Sequence, residues 1–149
     1  MQIHFKTFES CSNKDLFDLY YLRSVVFVVE QNCAYQDVDE KDLACIHVLM
    51  RGEETLLAYC RILPPGLVYK EAAIGRVVVP SEHRGQGFAK KLMLAAMDYC
   101  QTQYPQSDIV ISAQKYLDKF YSELNFIKEG EDYLEDNIPH QKMRYRLTK

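Results

Sequence analysis

Glycine and proline are scarce, six and five in 149 residues, which excludes collagen-like and linker-like chains. No apolar run approaches the ~18 residues needed to span a bilayer. The first eight residues, Met1 to Phe8, lack the basic stretch and apolar core of a signal peptide. Neither charge sign is in large excess: 18 basic and 21 acidic side chains leave a net charge of −3. That balance argues against nucleic acid as a partner, and the missing apolar run argues against a membrane. The five cysteines, Cys11, Cys33, Cys45, Cys60 and Cys100, stand singly, with no CxxC pair and no Cys/His grouping at metal spacing. No metal is therefore expected. An odd count without a secretion signal points to a reducing compartment, the cytoplasm, with small buried thiols.

What is present is an ordinary globular balance, 48% apolar and 26% charged, at a length that suits one compact domain over 1–149. Gln2 to Phe8 alternates as a half-buried strand. Ser12 caps a helix expected from Asn13 to Val29, with Asp15 at the third position as a capping-box variant. The β-branched run at Val25, Val26, Val28 and Val29 needs burial to remain helical. A polar, acidic loop spans Asn32 to Asp42. Strands follow at Ala44–Arg51 and Thr55–Leu63, joined by Arg51-Gly52-Glu53-Glu54, and at Ala73–Val79, ended by Pro80. A long amphipathic helix runs from Gly87 to Tyr104, then a strand at Asp108–Ala113 and a helix at Tyr116–Leu124. Phe126–Glu129 and Met143–Leu147 complete a β-α-β-β-β-α-β-α-β-β order. That order implies an α+β domain, a mixed sheet with helices on both faces.

Chemistry concentrates between Val77 and Leu92. A strand, Val77-Val78-Val79, feeds the turn Arg84-Gly85-Gln86-Gly87, which opens a helix at Phe88-Ala89. Gly85 and Gly87 allow close backbone approach. The first helical N–H groups lack intrahelical partners and carry the positive end of the helix dipole, so the turn suits a phosphate or pyrophosphate. Arg84, Lys90 and Lys91 add positive charge. The pattern is neither GxGxxG nor GxxxxGK[ST], which excludes the common dinucleotide and nucleoside-triphosphate loops.

Arg84-x-x-Gly87-x-Ala89 resembles the Arg/Gln-x-x-Gly-x-Gly/Ala signature of the GNAT N-acyltransferase superfamily. Phe120-Tyr121-x-x-Leu124-Asn125-Phe126 is similar to a second family segment, with Asn125 where glycine is usual. Arg23, Phe27 to Gln31, Asp39, Asp42, His47, Gly75-Arg76-Val77 and Glu135-Asp136-Asn137-Ile138-Pro139-His140-x-x-Met143 resemble the ElaA-type branch, which usually has glycine at the Asn137 position.

The resemblance implies a mostly antiparallel sheet in which two parallel strands, here Ala73–Val79 and Ile109–Ala113, splay apart around acetyl-CoA. It implies cofactor contacts from Val77, Val78 and Val79, from Arg84, Gly85, Gln86, Gly87, Phe88 and Ala89, and from Gln114 and Tyr121. The implied reaction is direct acetyl transfer to an amine-bearing acceptor, with Tyr121 as general acid. Glu30, with a pKa raised by partial burial, His47 and His140 are the candidate bases.

Arg23, Arg61 and Arg76 lie in apolar stretches and need carboxylate partners, for which Asp39 and Asp42 are candidates. The alternative role for these arginines is recognition of a substrate carboxylate, and the acidic loop Asp37–Asp42 is a candidate attractor of a cationic amine. Two other functions fit the same residues: acyl-homoserine-lactone-synthase chemistry, and an acyl-CoA-binding regulatory module without turnover. Exposed C-terminal strands would permit a homodimer.

Overall fold

The computed structural model describes residues 1–147. Seven strands form one sheet: β1 (Gln2–Thr7), β2 (Ile46–Arg51), β3 (Leu56–Leu63), β4 (Ala72–Val78), β5 (Ile109–Gln114), β6 (Ile127–Glu135) and β7 (Ile138–Tyr145). Their order is β1-β2-β3-β4-β5-β7-β6. Every neighbouring pair is antiparallel except β4 with β5. Three α-helices, α1 (Asn13–Arg23), α2 (Phe88–Gln103) and α3 (Asp118–Glu123), accompany the sheet. Among the described residues no helix is long and apolar enough to cross a membrane.

Strand alternation divides the core in two. Val48, Met50, Ala58, Cys60 and Ile62 pack with Leu92, Met93, Ala96 and Met97 of α2 and with Tyr121 of α3. Leu49 and Tyr59, on the opposite sheet face, pack with Leu19 and Leu22 of α1. Helices therefore cover both faces, as the pattern implied.

The Ser12–Asp15 capping box is formed. The valine-rich run remains helical but widens to a π-helix over Ser24–Glu30. Its characteristic bonds run from the Gln31 N–H to the Val26 carbonyl and from the Cys33 N–H to the Val28 carbonyl. Crowding between β-branched side chains is relieved by the wider turn, and Glu30 and Gln31 are delivered to the cleft described below.

The C-terminal strands are longer than the sequence pattern suggests. β6 and β7 form a hairpin turning at Asp136 and Asn137, at φ 49° and 66°. Two consecutive left-handed residues are what a type I′ hairpin requires, and Asp and Asn tolerate them. The pattern missed the outer half of this hairpin because β6 is an edge strand whose residues past Glu129 are exposed and polar. Asn125 also adopts the left-handed conformation, at φ 71°, as its glycine-like position required.

Candidate active site

β4 and β5 pair only at Ala72 with Ile109 and Ala73 with Val110. Beyond those two pairs they diverge. A register shift between β3 and β4 brings Tyr59 opposite Val78 and Arg61 opposite Gly75, so β4 carries an extra residue. Arg76 absorbs it at φ 53°, and a bulge of this kind bends a strand away from its neighbour.

The divergence opens a cleft of about 560 Å³. One end is lined by Val77, Val78, Val79, Arg84 and Ala89, and Tyr121 and Gln114 line its wall. Glu30 and Gln31 lie beside Arg84 and Gln114, and Cys33, Tyr35 and the hairpin residues Glu135, Asp136, Ile138 and His140 line the other side. The Cys33 thiol lies 3.5 Å from the Asp136 carbonyl, joining the loop after the first helix to the hairpin.

The turn ahead of α2 has Gly85 at φ 78° and Gly87 at φ 80°. A Cβ at either would meet nothing within 4 Å, so backbone conformation rather than crowding calls for glycine. Gly87 occupies the N-cap position and no side chain caps α2. The N–H groups of the first turn are thus left for an anion, and the space above the glycines lets one approach.

Arg84 does not project into this turn. Its Nε donates to the Val79 carbonyl at 3.0 Å, and its two terminal nitrogens donate to Glu30 at 2.5 and 3.0 Å. The fork ties the end of the π-helix to the phosphate turn. Hydrogen bonding to Arg84 lowers the Glu30 pKa, which corrects the expectation of a raised, base-like carboxyl. The predicted partial burial is replaced by a specific ion pair.

His47 is a second correction. It is fully buried and does not line the cleft. Its Nε2 donates to the Asp42 carbonyl at 2.9 Å, and its Nδ1 accepts from the Tyr59 hydroxyl at 2.6 Å. Burial lowers its pKa, so this is a neutral core histidine. Its strand alternation is as expected, but the face it points to is also closed.

Tyr121 is 6% exposed. Among the described residues its hydroxyl makes no side-chain hydrogen bond, and burial pushes its pKa upward. It therefore keeps its proton at the cleft wall. His140 lies at the far end of the cleft, as one of the candidate placements required. Gly85, Gln86, Gly87 and Phe88, the glycine turn and the start of α2, do not line the cleft itself.

The acidic loop turns inward, which corrects its candidacy as an attractor for amines. Arg23 donates to Asp37 at 2.8 Å and to Asp42 at 2.7 Å. Arg61 donates to Asp39 at 2.7 Å and Asp42 at 2.9 Å. Arg76 lies 2.8 Å from Asp37 through Nε, without hydrogen-bond alignment there, and donates from another nitrogen to the Asp37 carbonyl. All three arginines are paired within this network, although the buried Nε atoms of Arg61 and Arg76 have no hydrogen-bond partner.

Asp42, Cys45 and His47 place potential metal-ligand atoms within 4.8 Å of one another. Each atom is already engaged: Asp42 with two arginines, His47 through both nitrogens. Burial pushes the Cys45 thiol up to about 12. A metal would have to displace all of these bonds.

Comparison with known proteins agrees with this geometry. Residues 28–147 match the model of an acetyltransferase (GNAT) domain. A UPF0039 protein of Schizosaccharomyces pombe is 42% identical over 149 residues, covering 99% of this chain and 98% of that protein. Protein ElaA of Escherichia coli is 40% identical over 131 residues, 87% of this chain and 86% of its own. The crystal structure of Escherichia coli ElaA superposes with a TM-score of 0.90 at 36% identity, covering 98% of this chain and all of that one. An acyl-CoA N-acyltransferase from Pseudomonas aeruginosa superposes with a TM-score of 0.92 at 38% identity, over 97% of this chain and 99% of that one. With its splayed β4–β5 cleft and its glycine turn ahead of α2, this chain belongs to the GNAT superfamily, in the ElaA-type branch.

Proposed function

We propose that the protein transfers the acetyl group of acetyl-CoA directly to an amine. The observation that carries this reading is the two-residue pairing of β4 with β5, which leaves a strand edge along the cleft, with Ala89 of the uncapped α2 start in its lining. In this reading backbone groups of Val77 and Val79 pair with an extended amide-bearing chain, as an added strand would. The Gly85–Ala89 backbone is placed to take a pyrophosphate, and Gln114 borders the same channel. When bound, acetyl-CoA supplies an activated acyl thioester.

The protein's own contribution is orientation and proton management. The Val79 N–H is the candidate donor to the thioester oxygen where charge develops. Tyr121, buried and protonated, is the candidate donor to the departing sulfur.

The test is acetylation of a panel of primary amines with acetyl-CoA, comparing wild type with Tyr121→Phe. Turnover in the wild type, reduced ~10²–10⁴-fold in kcat by the substitution with acetyl-CoA binding retained, is expected. An unchanged kcat in the variant would remove Tyr121 from the mechanism. Acetyl-CoA binding without turnover of any amine would favour the regulatory module.

A further inference from the structure

The far end of the cleft contains a polar pair that the fold does not satisfy internally. His140 has a side chain only 8% exposed, yet it lines the cleft. Its Nδ1 is 2.6 Å from the Ile138 carbonyl. A carbonyl accepts only, so Nδ1 donates there, and Nε2 is the ring nitrogen left without a hydrogen bond. Nε2 lies 3.4 Å from Glu135 Oε2 without a hydrogen bond between them. A carboxylate and the Nε2 edge of a histidine thus meet in the cleft lining. The ring is held in place from behind. Tyr133 stacks on it, with centroids 6.1 Å apart, and the Tyr133 hydroxyl is hydrogen-bonded to Ser112 of β5.

Among the described residues both arginines of the cleft lining are already paired with carboxylates. Arg76 is held by Asp37 and Asp39, and Arg84 by Glu30. Asp136 adds a further carboxyl to the lining.

We propose that Glu135 and His140 together hold the acceptor and take its proton, and that the acceptor is therefore a cationic primary amine with no carboxylate beside the reacting nitrogen. This rests on the acyltransferase reading. An ammonium offers N–H donors to the Glu135 carboxylate and to Nε2 of the neutral ring. His140 Nε2 removes one proton, and Glu135 balances the imidazolium that forms. The neutral nitrogen bonds to the thioester carbonyl carbon and the carbon–sulfur bond breaks. The sulfur takes the Tyr121 proton, and the proton lost from the new amide nitrogen returns to Tyr121. His140 releases its proton to solvent. A carboxylate next to the amine would meet Glu135 and Asp136 with no arginine to receive it.

The experiment uses the full chain. Acetyl transfer is followed with butylamine, 1,4-diaminobutane and phenethylamine against alanine and glutamate, alongside calorimetric titration with acetyl-CoA. The wild type is expected to prefer the simple amines at least ~tenfold in kcat/KM. Glu135→Gln should raise the amine KM and erode that preference. His140→Gln should lower kcat ~10²-fold or more. Both variants should bind acetyl-CoA as the wild type does, and added imidazole should partly restore a His140→Ala variant. If the His140 variants fail to fold, Glu135→Gln, on a half-exposed side chain, carries the test alone.

Preference for alanine or glutamate, or unchanged kinetics in Glu135→Gln, would overturn the proposal and leave the acyltransferase reading intact. A wild type that binds acetyl-CoA yet acetylates none of the amines would overturn the proposal and favour the regulatory module. Failure to bind acetyl-CoA would instead remove the acyltransferase reading itself.

Discussion

Arg23 sits at zero exposure, with a guanidinium shared between Asp37 and Asp42. A buried ion pair owes its value to completeness, since removing one partner strands the other charge in a medium that solvates it poorly. Arg23→Ala is expected to destabilise the protein by ~3–5 kcal/mol, read as a lowered midpoint in urea denaturation. A loss within experimental error would show that the acids find water instead. The need for carboxylate partners was legible from arginines placed in apolar runs, and Asp39 and Asp42 were legible as partners. Asp37 was not, because a polar loop has no periodicity to say which acids turn inward. His47 shows the same limit. Alternation with Ile46 and Val48 puts it on the opposite sheet face, but only the assembled fold closes that face as well.

At the scale of elements, the connection that bears on activity is the fork from Arg84 to Glu30, which joins the π-helix to the phosphate turn. Both side chains are around two-fifths exposed, so the pair is weak and exchangeable. On the proposed function, an arriving pyrophosphate would compete with Glu30 for the same guanidinium. Glu30→Gln is accordingly expected to tighten acetyl-CoA binding by roughly twofold to fivefold, measured by calorimetry at low salt, with the gain shrinking as salt rises. Weaker binding in the variant would mean that Glu30 orients Arg84 for the cofactor rather than competing with it. The elements themselves were largely readable: caps, turn residues and apolar spacing located all three helices and the strands. The β6–β7 hairpin was not fully readable. Its outer half faces solvent, so hydrophobic alternation fades where the site residues Tyr133 and Glu135 lie. The surviving signal was the Asp136-Asn137 pair, a two-residue turn flanked by Leu134 and Ile138.

Over the whole molecule, carboxylates held by cations set the response to acid. Burial alone would raise the carboxyls of Asp15, Asp39 and Asp42. Hydrogen bonds and charge from Lys6, Arg51, Arg23 and Arg61 outweigh it and leave all three lowered. Groups with depressed folded-state values contribute stability above their unfolded value, near ~4, and lose it as pH falls through the folded value. Stability should begin to fall below about pH 6.5, as the unfolded chain takes up a proton that buried His47 resists, and decline further below about pH 4, followed as the urea midpoint against pH. A midpoint unchanged down to pH 3 would contradict the network's role.

The larger consequence of the fold is the cleft itself. A bulge at Arg76, a two-residue parallel contact and an uncapped helix together form a channel with a phosphate turn at one end. The most direct test is calorimetric titration of acetyl-CoA into wild type and Gly87→Glu. The substitution places bulk and negative charge at a left-handed position in that turn. Micromolar binding by the wild type, lost in a variant that remains folded, is the predicted result. Equal binding by both proteins would move the cofactor away from the turn, and no binding by a folded wild type would contradict the account at its centre.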